Sequence, residues 1–213
     1  YRGSWSKNDP ELRYVPVGPG QPGDYLTDKL TDHALRLIEK QKDRSFFLSL
    51  WFYTVHWPMQ APETLLKKYV DRKGPGLNDT RYGAMIEAMD LAVGRLLQAL
   101  DEMKLAEDTL VIFTSDNGGQ VSVAGTNGNH RGGKQDMYEG GLKVPTCAVW
   151  PGKIKAGTSS NLVGITMDLY PTACAAAGAR VPDYVEGKSI LPTMLGETQN
   201  FDRDLVFVRR EGG

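Results

Sequence analysis

Cysteine and histidine are scarce in this chain, whose 213 residues hold two of the first and three of the second. Two cysteines cannot build a disulfide framework, so Cys147 in an expected strand and Cys174 in an expected helix read as small buried hydrophobes. An excess of either charge is missing too. With 25 Lys+Arg against 26 Asp+Glu the formal net charge is -1, which provides no broad field for nucleic acid or an anionic membrane. Any anion site must therefore be local. No run approaches the ~18 apolar residues that a membrane span needs, and the first residues show neither the apolar stretch nor the cleavage site of a secretion signal. What is present fits a globular protein: 40% hydrophobic and 24% charged residues, in a length that buries roughly 70% of the unfolded surface as one domain.

Residues 1–24 are dense in proline and glycine, including Val17-Gly18-Pro19-Gly20-Gln21-Pro22-Gly23, and read as an extended lead-in before a body at 25–213. Leu26, Leu30, Ala34, Leu37 and Ile38 recur at helical spacing and predict a helix ending near Lys42, capped by Asp24 or Thr27. Phe46 to Tyr53 is nearly all apolar, as suits a strand covered on both faces of a parallel sheet. A short helix at 62–70 opens on Pro62. A longer one, capped by Asn78 or Asp79, carries a stripe of Met85, Ile86, Met89, Val93, Leu96, Leu97 and Leu100. Further strands are expected at 109–114, 144–150 and 205–208, and a helix at 166–177. No internal repeat is visible. Strands separated by helices predict an α/β fold with a mostly parallel sheet flanked by helices, and such sheets bind ligands beyond the carboxyl ends of their strands.

Polar groups gather at those ends. Asp116 and Asn117 follow the strand at 109–114 and precede a loop with eight glycines between Gly118 and Gly141. Side by side they offer oxygen ligands suited to a hard cation, although a cap and a tight bend would use the same residues. Lys134, in Asn129-His130-Arg131-Gly132-Gly133-Lys134, sets an ammonium among glycines whose amides can approach an anion; a solvated basic turn is the plainer alternative. Gly128, Gly133 and Lys134 have phosphate-loop spacing, but Gln135 stands where that motif needs Ser or Thr. His56 follows the strand at 46–53 and would leave a parallel sheet on the same edge as Asp116. It could bind an anionic ester or protonate a leaving oxygen, or be ordinary surface. His130 reads either as a substrate contact or as a loop filler.

In chain order, His56-Trp57-Pro58-Met59-Gln60-Ala61-Pro62 after a buried strand, Ser115-Asp116-Asn117-Gly118-Gly119 after another, and Arg131-Gly132-Gly133-Lys134 with Tyr138-Glu139-Gly140-Gly141 before Val144-Pro145 resemble the sulfatase family. Trp150-Pro151-Gly152 and Asp168-Leu169-Tyr170-Pro171-Thr172 extend the resemblance over most of residues 24–208. It implies an alkaline-phosphatase-like fold, here incomplete, and a metal-assisted hydrolase of sulfate esters. Asp116 and Asn117 would bind the divalent cation, usually calcium. His56 and Lys134 would contact the sulfate group and the bridging oxygen, and Glu139 would support the loop. The substrate would be a sulfated small molecule or sugar, and the location periplasmic or secreted. The family draws its nucleophile from a Cys/Ser-x-Pro-x-Arg segment converted to formylglycine, and no such segment occurs in these 213 residues. The expectation is one partial catalytic domain, 1–213, that starts after the nucleophile, stops before a smaller carboxy-terminal domain and does not turn over substrate alone. A phosphonate or phosphodiester hydrolase of the same superfamily and a non-catalytic binding module are the alternatives. A bare sheet edge would favour a homodimer.

Overall fold

A computed structural model describes residues 20–205 apart from 22, 73 and 75–77. The expected strand residues 206–208 and most of the lead-in segment lie outside the described residues. In chain order the helices are α1 (Leu26–Gln41), α2 (Glu63–Tyr69) and α3 (Thr80–Glu102), then β1 (Val111–Thr114), α4 (Glu139–Leu142), β2 (Thr146–Val149), α5 (Leu169–Ala176) and α6 (Leu191–Met194). Short 3₁₀ turns at Ala106–Asp108 and Thr166–Asp168 lead into β1 and α5.

Helix α3 starts where Asp79, in extended conformation, accepts from the Arg81 amide at 2.9 Å, satisfying one of the donors a helix start leaves open. It packs against both α1 and α2. The buried faces differ from the expected ones. On α3, Ala84, Met85, Ala88, Ala92 and Leu100 are buried while Ile86 and Leu97 are exposed; on α1, Thr27, Thr31, Ala34 and Ile38 are buried while Leu26 and Leu37 are exposed. Small residues at four-residue spacing line the contact, and flat ridges of this kind let helix axes approach closely. Apolar bulk placed Ala34, Ile38, Met85 and Leu100 correctly but also put Leu26, Leu37, Ile86 and Leu97 on the buried faces, because it ignored this preference for a close fit.

The expected sheet is present only in part. Among the described residues it has two strands, β1 and β2, paired antiparallel with Val111 opposite Val149 and Thr114 opposite Thr146; the mostly parallel sheet is not found. Along residues 46–52 burial alternates with the two-residue period of a strand: Phe46, Leu48, Leu50 and Phe52 are half-buried, while Phe47 and Trp51 are 75% and 83% exposed. No ladder partner lies beside them among the described residues. Among the described residues no shared sheet links the segment before His56 to the strand before Asp116. Cys147, on β2, is exposed and Cys174, on α5, is half-buried, so the expectation of two buried thiols fails.

The later part of the chain is held by a polar knot. Asp168, fully buried, accepts from the amides of Ile165 (2.9 Å) and Lys188 (2.8 Å) and from both terminal nitrogens of Arg203 (2.7 and 2.6 Å). One turn on, the Thr172 hydroxyl donates to the Asp168 carbonyl oxygen and accepts from the Ile190 amide. A buried carboxylate is tolerated when its lone pairs are met in this way.

Candidate active site

Two loops meet near the start of α3. The loop at 54–61 is tied to α1 by a hydrogen bond between the Thr54 and Thr27 hydroxyls. It is tied to the glycine-rich loop by a small apolar cluster of Met59, Met85 and Ala124, with Val55, Ala61 and Tyr82 packed around it. Met59 comes from the His56 loop, Met85 from α3 and Ala124 from the glycine-rich loop, so burial of these groups fixes the three relative to one another.

His56 is exposed, and its Nδ1 lies 2.7 Å from the Trp57 carbonyl oxygen and 3.2 Å from the Tyr53 hydroxyl. A carbonyl oxygen only accepts, so Nδ1 carries the hydrogen and Nε2 is the ring position left for other work. After β1, Asp116 is exposed and Asn117 half-buried. The Asn117 amide nitrogen donates to the Gly118 carbonyl at 2.9 Å, which orients the group and leaves Oδ1 as its acceptor.

The glycine-rich loop is closed by backbone bonds. Gly118 donates to the Gly141 carbonyl at 3.0 Å, Gly140 to Arg131 at 2.8 Å, and Lys134 to Gly119 at 3.1 Å. The last bond stitches the residue that carries the ammonium to the segment directly after Asp116-Asn117. Lys134 sits second in a four-residue turn: Asp136 donates its amide to the Gly133 carbonyl at 2.9 Å, and its carboxylate accepts from the Gly133 amide at 2.9 Å. Gln135, third in the turn, has φ of 76°, the left-handed conformation that such a position demands. Asn127 was not among the residues singled out from the sequence. Its side chain bonds Gly119 and Gly132 across the loop, and only the Asn127-Gly128 dipeptide hinted at a turn there.

The Lys134 amide is thus bonded to Gly119, two residues after Asn117, and the loop that carries His56 meets the glycine-rich loop through the apolar cluster. No hydrogen bond or ion pair links these side chains to one another among the described residues, which also hold no group of three or more His, Cys, Asp or Glu able to take a metal. His130 is engaged elsewhere, 3.3 Å from Glu139, whose other oxygen meets Lys143 at 2.6 Å. Bonding to Lys143 first, and to His130, holds the Glu139 carboxyl below its ordinary acidity range. Arg131 stacks on the Tyr138 ring at 3.7 Å, closing the same side of the loop.

The family model described as Sulfatase matches residues 2–179. The chain belongs to the sulfatase family. Human (Homo sapiens) steryl-sulfatase is 34% identical over 194 residues, covering 86% of this sulfatase chain and 32% of that protein. Dog (Canis lupus familiaris) N-acetylgalactosamine-6-sulfatase is 36% identical over 192 residues, covering 86% and 35% respectively. Among solved structures, Ps i-CgsB in complex with k-i-k-neocarrahexaose superposes with a TM-score of 0.75 at 33% identity, over 81% of this chain and 39% of that one. The sulfatase chain therefore spans about a third of the length of these curated relatives.

Close backbone approach gives a test of the loop. A Cβ on Gly118 would overlap the Gly140 carbonyl oxygen, and one on Gly140 would overlap that of Gly132. Backbone cannot rotate away as a side chain does, so Gly118→Ala is expected to cost about 1–3 kcal/mol, the usual range for overpacking, read as a lowered melting temperature.

Proposed function

We propose that this chain supplies the leaving-group side of a sulfate monoester hydrolase, with Lys134 and His56 contacting the sulfate and its bridging oxygen, and Asp116 and Asn117 holding a divalent cation. The observation that carries the reading is the bond from the Lys134 amide to the Gly119 carbonyl, which sets the ammonium-bearing residue against the segment of the two oxygen donors. When the S–O bond of a sulfate monoester breaks, negative charge collects on the departing oxygen. A nearby ammonium stabilises that charge, and donors held in place beforehand need no rearrangement at the moment of reaction. His56, with Nδ1–H committed to the Trp57 carbonyl, can give a proton to that oxygen from Nε2 when the ring is in its imidazolium form, returning to the neutral ring with the hydrogen on Nδ1.

The donor chemistry fits a hard cation. An exposed carboxylate and an amide oxygen with its nitrogen already engaged are two of the oxygens calcium takes, and since calcium wants about six to eight, the remainder must come from outside these residues. When bound, the ion would act as a Lewis acid on the sulfate oxygens. The nucleophile, formylglycine in this family, would likewise be supplied by a Cys/Ser-x-Pro-x-Arg segment that these 213 residues do not contain. The chain would then be a single part of a catalytic domain and inactive alone. A sulfated sugar is the proposed substrate, in keeping with the neocarrahexaose-bound neighbour and the N-acetylgalactosamine-6-sulfatase relative, and an extracytoplasmic location would suit it.

The test is turnover in the protein that joins this chain to such a segment. Hydrolysis of 4-nitrophenyl sulfate is expected to exceed that of a phosphonate monoester, and chelation by EDTA is expected to lower it at least about 10²-fold, since a Lewis acid contributes several kcal/mol, with recovery on adding calcium. Faster phosphonate hydrolysis would move the protein to the neighbouring activity. Folded protein inert toward both esters would mark it as a binding module.

A further inference from the structure

We propose that Asn127 is a positioning residue for Lys134, acting through the backbone of the glycine-rich loop; this rests on the reading of Lys134 as a sulfate contact. The half-buried Asn127 side chain uses both ends. Its Oδ1 accepts from the Gly119 amide at 2.8 Å, and its Nδ2 donates to the carbonyls of Gly119 at 3.1 Å and Gly132 at 2.9 Å. The amide orientation follows from its partners, because an amide N–H needs an oxygen opposite it and two carbonyls need a nitrogen.

The partners matter more than their number. Gly119 lies two residues after Asn117, and its carbonyl also receives the Lys134 amide. Gly132 lies two residues before Lys134. One side chain therefore clamps the strand exit that carries Asp116 and Asn117 to the turn that carries Lys134, and it shares an acceptor with the bond that joins them. Glycines alone cannot do this, since they lower the barrier to approach without selecting one arrangement. Asp136 holds the far side of the turn through the Gly133 amide, but it makes no bond to Gly119. Asn127 is the side chain that bridges both segments among the described residues.

Aspartate at 127 would keep the acceptor for the Gly119 amide and set a carboxylate oxygen against the two carbonyls that now receive a donor. Alanine would remove all three bonds. A positioned group displaced by about 1 Å loses about 10²-fold in rate, so both variants are expected to show a fall of that order in kcat with KM within threefold of the parent.

The experiment measures kcat and KM for 4-nitrophenyl sulfate in the complete sulfatase carrying this chain, for Asn127→Ala, Asn127→Asp, Lys134→Ala and the Asn127→Ala/Lys134→Ala double variant, each checked for folding by circular dichroism. If Asn127 acts through Lys134, the double variant falls no further than Lys134→Ala alone. Losses that multiply, Asn127 variants within threefold of the parent in kcat, or Asn127 variants recovered unfolded would overturn the proposal while leaving the role of Lys134 standing. A Lys134→Ala variant with unchanged kcat would instead remove the functional reading on which the proposal rests.

Discussion

Replacing Lys134 with alanine is expected to lower kcat for a sulfate monoester by about 10²–10³-fold, the cost of deleting one preorganised donor at a developing oxyanion. The measurement is steady-state turnover in the protein that contains both this chain and the formylglycine segment. Lys134 sits on a turn whose two ends are closed by Asp136 and whose backbone is bonded to Gly119, so truncating its side chain leaves the loop intact and removes only the charge. Arginine at this position should recover part of the loss, since it keeps the positive charge but spreads it over a planar group that the turn was not shaped for. A kcat within threefold of the parent in the alanine variant would show that the leaving oxygen is stabilised by other groups.

The second large effect is on stability. Asp168→Ala leaves the Arg203 guanidinium, whose side chain is only 13% exposed, without its buried counter-ion and strips two amides of their acceptor. Breaking a buried pair from one side costs about 3–5 kcal/mol, which in a chain of this size corresponds to a melting point lower by roughly 10 °C. The knot also sets an acid limit. Burial pushes the Asp168 carboxyl up, but bonding to Arg203 and to the amides of Lys188 and Ile165 outweighs it, and the group is held below its ordinary value of 3.8. A carboxyl more acidic in the folded than in the unfolded chain contributes its stability above the unfolded value. That contribution fades as pH falls below about 4 toward the lower folded value. The parent should therefore lose stability more steeply than Asp168→Ala over that acid range, as thermal melts across pH would show.

Much of the architecture could be read from the residues because it is local. The cap of α3 at Asp79, the turn after Trp150 and the end of α5 before Gly178 each depend on a few neighbouring side chains, and each lies where it was expected. Strand pairing depends on distant partners. Phe46 to Tyr53 has the composition of a sheet interior, yet its neighbours are not specified by that composition, and no strand lies beside residues 46–52 among the described residues. The same division runs through the site. Asp116, Asn117, Lys134 and His56 stood out because their chemistry is concentrated in single residues after expected strands or, for Lys134, among glycines. Asn127 did not, since its role lies in what it touches across the loop, and a carboxamide among glycines looks like any turn former until the fold is closed. His130 was open to two readings, and its pairing with Glu139 turns it toward support of the loop.

Residues 46–52, which have no strand beside them among the described residues, also bear on how the polypeptide behaves before it finds its place. A stretch of strand-like composition whose amides meet no strand among the described residues, with two large exposed rings, Phe47 and Trp51, is a template on which another chain can grow by hydrogen bonding. Chaperones that grip unfolded peptide would find a handle here. The yield of soluble material would then depend on how quickly that stretch is shielded after synthesis, more than on how firmly the finished fold holds together.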